Sequence, residues 1–99
     1  MTLSVEHAEE RDIDAIVALN NLFAPDGLTL PRSVDFVTAH LQDYQVVRDP
    51  EGAVLGCVAL DEYSPSLVEL VSLAVQPAAQ GRGIGRRLIL AAEELARQR

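Results

Sequence analysis

The stretch Leu67-Val-Glu-Leu-Val-Ser-Leu-Ala-Val75, followed by Gln76-Pro-Ala-Ala-Gln-Gly-Arg-Gly-Ile-Gly-Arg-Arg-Leu88, decides how this chain reads. Residues 67–75 carry one acid in an otherwise near-continuous apolar run, the pattern of a strand buried on both faces. Pro77 ends it. A helix is predicted from about Gly83 to Ala96, with Ile84, Leu88, Ala91, Ala92 and Leu95 as its inner stripe. Between strand and helix lies Gln80-Gly81-Arg82-Gly83-Ile84-Gly85. Unpaired N–H groups at a helix start, with the positive end of the dipole, suit an anion. Glycines let a ligand approach the backbone, and Arg82, Arg86 and Arg87 add forked, fully charged donors.

Other glycine motifs fit worse. A Walker A loop needs Gly-Lys-Ser/Thr, and the chain has no lysine. A dinucleotide fingerprint started at Gly81 needs glycine at Arg86, and one started at Gly83 needs it at Leu88. The plain alternative is a tight strand-to-helix turn; the flanking arginines and the apolar strand favour an anion site.

Working outward, Thr2–His7 alternates like a strand. Residues 9–23 shift to a helical period through Ile13, Ile16, Val17, Leu19, Asn20 and Phe23, with Glu9, Glu10, Asp12 and Asp14 near the helix start. Pro25-Asp26-Gly27 stops it, and residues 28–32 form an extended connection. Ser33 is a good N-cap for a second helix reaching about Gln42. Tyr44–Asp49 and Ala53–Glu62 read as a hairpin over the turn Asp49-Pro50-Glu51-Gly52. Residues 64–66 turn the chain into the strand at 67–75. The order is β-α-α-β-β-β-α, an α+β domain with a mainly antiparallel sheet.

Ninety-nine residues fit one small domain, 1–99. With 4% aromatic residues, the core must be built from Leu, Val, Ile and Ala. The net charge of −7 makes nucleic acid a poor partner. No apolar run resembles a signal peptide or a membrane span, and one cysteine makes no intramolecular disulfide, so a cytoplasmic location is expected. The charge is uneven. Residues 1–79 hold three arginines against thirteen acids; residues 80–99 hold five against Glu93 and Glu94. A basic end on an acidic chain suggests a small anionic ligand there.

On these residues the chain resembles the GNAT superfamily of acetyl-CoA-dependent N-acetyltransferases. Their loop reads Gln/Arg-x-x-Gly-x-Gly/Ala, and Gln80-x-x-Gly83-x-Gly85 matches each fixed position. The resemblance implies acetyl-CoA as cosubstrate, with its pyrophosphate on the amides of Gly81, Arg82, Gly83, Ile84, Gly85 and Arg86. It also implies that Leu73, Ala74 and Val75 pair their backbone with the pantetheine arm. Leu30-Pro31-Arg32-Ser33, Leu55–Leu60 and Glu69–Pro77 look like the N-acetylglutamate-synthase-like branch. That likeness implies a small amine-bearing acceptor, such as the amino acid glutamate, with its carboxylate on Arg32. The family domain extends past the loop helix, so the chain reads as the amino-terminal part of one.

An amine must lose a proton before it attacks a thioester, and Glu69 in the apolar strand is the candidate general base. Its alternative is an acid on a strand with one wet face. The family's usual acid is a tyrosine well after the loop; Tyr44 and Tyr63 do not match it, and no acid is named. Cys57 reads as a packing residue, and His7 and His40 have no ligand spacing, so no metal is expected. The resemblance implies a further strand, after the loop helix, beside 67–75; these 99 residues do not include it, so 67–75 is expected to be an edge that pairs with a second copy or a complementing chain. Two functions follow: an N-acetyltransferase for a small amine, or a non-catalytic acetyl-CoA-binding module.

Overall fold

The computed structural model describes residues 4–22, 33–64 and 67–98. Strand β1 is Val5–His7, helix α1 Ile13–Leu22 and helix α2 Val34–Ala39. Strands β2, β3 and β4 are Tyr44–Arg48, Val54–Ser64 and Leu67–Val75, and helix α3 is Ile84–Arg97. The strands form one sheet in the order β1-β2-β3-β4, and each neighbouring pair is antiparallel. This is the expected order and class. Among the described residues no helix is long and apolar enough to cross a membrane.

The sheet has a core on each face. On one, Ile16 and Leu19 of α1 and Val37 of α2 pack against Tyr44, Val46, Val54, Cys57, Ala59 and Ala74. On the other, Ile84, Leu88 and Ala92 of α3 pack against Val47, Val58, Leu60 and Ala79. Each fully buried aliphatic side chain contributes roughly 1.5–3 kcal/mol of transfer free energy. Strand β2 is buried along its whole length because alternate residues feed opposite cores.

Local signals explain the joins. Ser33 Oγ accepts the Phe36 N–H at 3.0 Å, the predicted cap. Asp49 Oδ1 accepts the N–H groups of Glu51 and Ala53 at 2.9 Å, and Gly52 has φ +92°, which closes the β2–β3 hairpin as predicted.

Several bounds differ from expectation. The first helix starts at Ile13, after a 3-10 turn at Glu10–Asp12, because Asp12 turns inward and its Oδ2 accepts the Glu9 N–H at 2.8 Å. The second helix stops at Ala39 rather than Gln42. His40 leaves helical geometry, and a 3-10 turn at Leu41–Asp43 delivers the chain to β2. The expected features at residues 2–3, 23–32 and 65–66 lie outside the described residues.

The inward turn of Asp12 meets a partner that periodicity does not disclose. Arg48 Nε donates to Asp12 Oδ1 at 3.0 Å, and Arg48 Nη2 bonds Asp12 Oδ2. Arg48 also reaches Glu6 Oε2 at 2.7 Å, Glu9 Oε2 at 3.2 Å and the His7 carbonyl at 3.3 Å. The Arg48 and Asp12 side chains are 6% and 2% exposed, so each charge is buried and satisfied by the other. The fork ties β1, the start of α1 and the end of β2 together.

Burial by itself pushes the Asp12 carboxyl up, but hydrogen bonds from Arg48 and the Glu9 N–H, with the Arg48 charge, outweigh it and hold it below the ordinary range. A depressed native value gives stability that is complete above the unfolded pKa of about 3.9 and is lost as pH falls toward the native one. Arg48→Met should therefore cost about 3–5 kcal/mol in a urea titration, because Asp12 is left buried and unpaired. Wild-type stability should decline below about pH 4, and Asp12→Asn should flatten that decline. An unchanged acid slope in Asp12→Asn would show that Asp12 is not the titrating group.

Candidate functional site

The site begins at the end of β4. Val75 pairs with Gly56 and Ala74 with Cys57, while Val71 pairs with Ala59. Between Val71 and Ala74 the strand therefore carries one residue more than β3, a bulge that locally twists the edge. Leu73 lies in it and is 38% exposed. The expectation of burial on both faces fails at this residue because β4 is the last strand of the sheet. Ala74 is buried toward α1, and Val75 is half-buried toward α3. Among the described residues, no strand pairs with the outer edge of β4.

The loop is tied at both ends. The Gln76 N–H donates to the Leu55 carbonyl at 2.8 Å, fixing its start to β3. A 3-10 turn at Pro77–Ala79 follows, and Ala79 is buried in the α3-side core. Gln80 Nε2 donates back to the Val75 carbonyl at 3.3 Å. Gln80 thus braces the loop against the strand it leaves.

Gly81 and Gly83 have φ +88° and +76°, the left-handed region where a Cβ is strained. Gly83 is the N-cap of α3. The first bond of the helix runs from the Arg87 N–H to the Gly83 carbonyl at 3.1 Å. The N–H groups of Ile84, Gly85 and Arg86 have no partner inside the helix. A Cβ built on Gly81 or Gly83 would meet nothing within 4 Å, so the space beside this backbone is open. Arg82 and Arg86 are exposed beside it.

Left-handed glycines, open space, helix-start amides, the helix dipole and two exposed guanidinium groups are the chemistry that a phosphorylated ligand would need. This donor set fits the phosphate portion of coenzyme A in its chemistry.

The other candidates fall as follows. The Glu69 backbone pairs with Asp61, further from the loop than Leu73; its side chain lies outside what is described, as does the whole of Arg32. Cys57 is fully buried, and burial pushes its thiol up to about 12 against a smaller opposing effect of its hydrogen bond with the Ala74 backbone. That excludes a thiolate nucleophile at neutral pH. Tyr44 is fully buried in the core. His40 stacks at 4.3 Å on the Phe36 ring, with Nδ1 3.7 Å from Asp43 Oδ2. Sequence reasoning did not single out Gly56, which lies against Ile84 and Leu88 of α3; an isolated glycine within Leu55–Leu60 was the available signal.

Comparison with known proteins gives a consistent result. The family model described as "Acetyltransferase (GNAT) family" matches residues 13–99. An uncharacterized N-acetyltransferase of Chlorobaculum tepidum is 38% identical over 89 residues, covering 90% of this chain and 57% of that protein. An amino-acid acetyltransferase of Neisseria meningitidis is 32% identical over 88 residues, covering 88% of this chain and 20% of that protein. Among solved structures, N-acetylglutamate synthase from Neisseria gonorrhoeae, complexed with coenzyme A and N-acetyl-glutamate, superposes with a TM-score of 0.92 at 30% identity. That match covers 99% of this chain and 23% of the synthase. A Mycobacterium tuberculosis protein crystallised with CoA gives 0.90 at 30% identity, covering 95% of this chain and 57% of that one. The chain thus spans little more than half the length of the relatives it matches most fully.

The three loop glycines differ in what the fold asks of them. Gly83→Ala should cost about 1–2 kcal/mol, because alanine resists φ +76°. A Cβ on Gly85 would lie 3.8 Å from Val75 Cγ2, an ordinary contact, and alanine is the better helix former. Gly85→Ala should leave stability unchanged or raise it by up to about 1 kcal/mol. Thermal unfolding of both variants checks the contrast; equal losses would refute it.

Proposed function

Because the chain belongs to the acetyltransferase (GNAT) family, we propose that it takes part in transfer of an acetyl group from acetyl-CoA to the amine of a small molecule, with an amino acid as the acceptor class. The single observation that carries this is the loop at 80–86, with its left-handed glycines, open flank and free helix-start amides. Acetyl-CoA supplies the thioester-activated acetyl group. In the proposed arrangement, the N–H groups of Gly81 through Arg86 take the pyrophosphate, and Arg82 and Arg86 add charge. Gln80 holds the loop in place through the Val75 carbonyl. The free edge at Leu73, Ala74 and Val75 pairs with the pantetheine arm, and an N–H there polarises the thioester carbonyl.

Glu69 is proposed as general base, accepting the proton that an ammonium must lose. The neutral amine then attacks the acetyl carbon, the C–N bond forms, the C–S bond breaks and the remaining proton ends on sulfur. Arg32 is proposed to hold the acceptor's carboxylate, for which its planar fork is suited. The amino-acid acceptor is supported by the Neisseria relatives, an amino-acid acetyltransferase and an N-acetylglutamate synthase. The edge of β4 is also proposed as the place where a second copy or a complementing chain adds a strand.

Calorimetry with acetyl-CoA, followed by a thiol-release assay against glutamate and other amino acids, tests the reading. Binding with turnover supports an acetyltransferase; binding without turnover on any amine selects a coenzyme-binding module; no binding sinks both. Glu69→Gln should lower turnover by about 10²–10⁴ while leaving acetyl-CoA affinity nearly unchanged. An unaltered rate removes Glu69 from the mechanism. Arg86→Ala should weaken acetyl-CoA binding first.

Edge pairing should appear in light scattering as a mass that rises with concentration. A stable monomer at high concentration would refute pairing with a second copy.

A further inference from the structure

The geometry points to Gly56 as a positioning residue: its missing side chain sets the depth at which α3 seats on the sheet, and so where the amides of the 80–86 loop stand. This rests on the reading of that loop as the coenzyme A cradle.

Gly56 lies on β3, opposite Val47 of β2 and Val75 of β4. Between Val47 and Arg48 the register with β3 slips, so that Arg48 faces Val54 and Leu55 is the extra residue. The bulge breaks the strict alternation of β3. Val54 packs in the α1-side core, while Leu55 packs on the α3 side. Gly56 then meets α3 directly. A Cβ built on it would sit 3.0 Å from Leu88 Cδ1, 3.1 Å from Ile84 Cγ2 and 3.2 Å from the Ala74 carbonyl oxygen. Ordinary carbon–carbon contact needs about 3.5–4.0 Å. A methyl group here crowds all three, and each must give by a few tenths of an ångström; Ile84 Cγ2 sits on a β-branched carbon, so its give is the one passed most directly to the first turn of α3.

The loop cannot absorb that shift freely. Its start is fixed to β3 by the Gln76–Leu55 bond, one residue from Gly56. Its middle is braced by Gln80 on the Val75 carbonyl. Its end is the first turn of α3, which carries both Ile84 and the amides of Ile84, Gly85 and Arg86 that have no partner inside the helix. Lifting Ile84 therefore moves those amides relative to the edge of β4, and the two halves of one ligand site move apart. Small misplacements of binding groups carry a large penalty when several must act at once. A glycine spent on close helix–strand packing under a phosphate loop makes physical sense here, as it does in other phosphate-binding folds.

The test uses the 99-residue chain with coenzyme A as the probe. Gly56→Ala should raise the coenzyme A dissociation constant by about 5–10-fold. Val37→Ala, a cavity on the opposite core, controls for a general loss of stability and should leave affinity within about twofold once the folded fraction is matched. Gly56→Ala/Leu88→Val removes the closest clashing atom and should recover at least half of the lost affinity. It also serves if Gly56→Ala alone does not fold, in which case near wild-type affinity in the double variant supports the proposal. Amide shifts in ¹⁵N spectra without ligand give a readout independent of binding. Gly56→Ala, or the double variant compared with Leu88→Val, should move the signals of residues 81–86, and Val37→Ala should not. If the wild-type chain does not bind coenzyme A, the cradle reading fails, and the amide shifts still decide whether Gly56 sets the loop. Unchanged affinity in Gly56→Ala, or shifts that spare residues 81–86, would overturn the proposal.

Discussion

The antiparallel pairing of β3 with β4, from Gly56–Val75 to Ser64–Leu67, is the constraint on which the rest depends. It fixes where β4 ends, and therefore where the loop begins. It also presents two faces that need cover, and α1 with α2 takes one while α3 takes the other. The chain must cross from the sheet plane to the α3 layer within the residues between Val75 and Ile84. Two left-handed glycines permit that crossing, and the crossing exposes the helix-start amides. The candidate site is thus a consequence of how a strand hands over to a helix in a two-sided sheet.

Arginine does two different jobs in this chain. Arg48 is enclosed, its fork filled by Asp12 and reached by Glu6 and Glu9. Its charge is balanced inside the fold and serves to join β1, α1 and β2. Arg82 and Arg86 stand exposed beside open backbone. Their charge is available to a ligand. The excess of acids before residue 80 and of arginines after it therefore has a structural meaning. Part of the acidic excess holds Arg48, and the basic end carries the groups beside the loop.

Much of the architecture was legible because it is written in local signals. The Ser33 cap, the Asp49–Gly52 turn and the 67–75 strand each act within a few residues, and each stands where the residue types placed it. The loop at 80–85 was legible for the same reason. What escaped is non-local. The Arg48–Asp12 pair joins residues 36 positions apart, and an inward-turned aspartate looks like any other acid near a helix start. The bulges at Leu55 and near Leu73 are mismatches between two strands, so neither strand shows them alone. The exposure of Leu73 follows from its place at the sheet edge, which an apolar run cannot state. Gly56 was visible as a residue and silent as a role, because its meaning comes from Leu88 and Ile84 on another layer.

Gly85 is the loop glycine that backbone geometry does not explain. Gly81 and Gly83 are explained by backbone geometry alone, since each has a positive φ. A turn that only redirected the chain would need those two and no more. Gly85 lies inside α3, has no positive φ, and faces a contact that a methyl group would satisfy without crowding. The fold therefore gains nothing from it and gives up about 1 kcal/mol relative to alanine. A small residue at the second position of the helix, glycine here and glycine or alanine in the resembling loops, leaves room beside the helix-start amides and the exposed arginines. Close approach of a phosphate to those N–H groups, as proposed, would use that room.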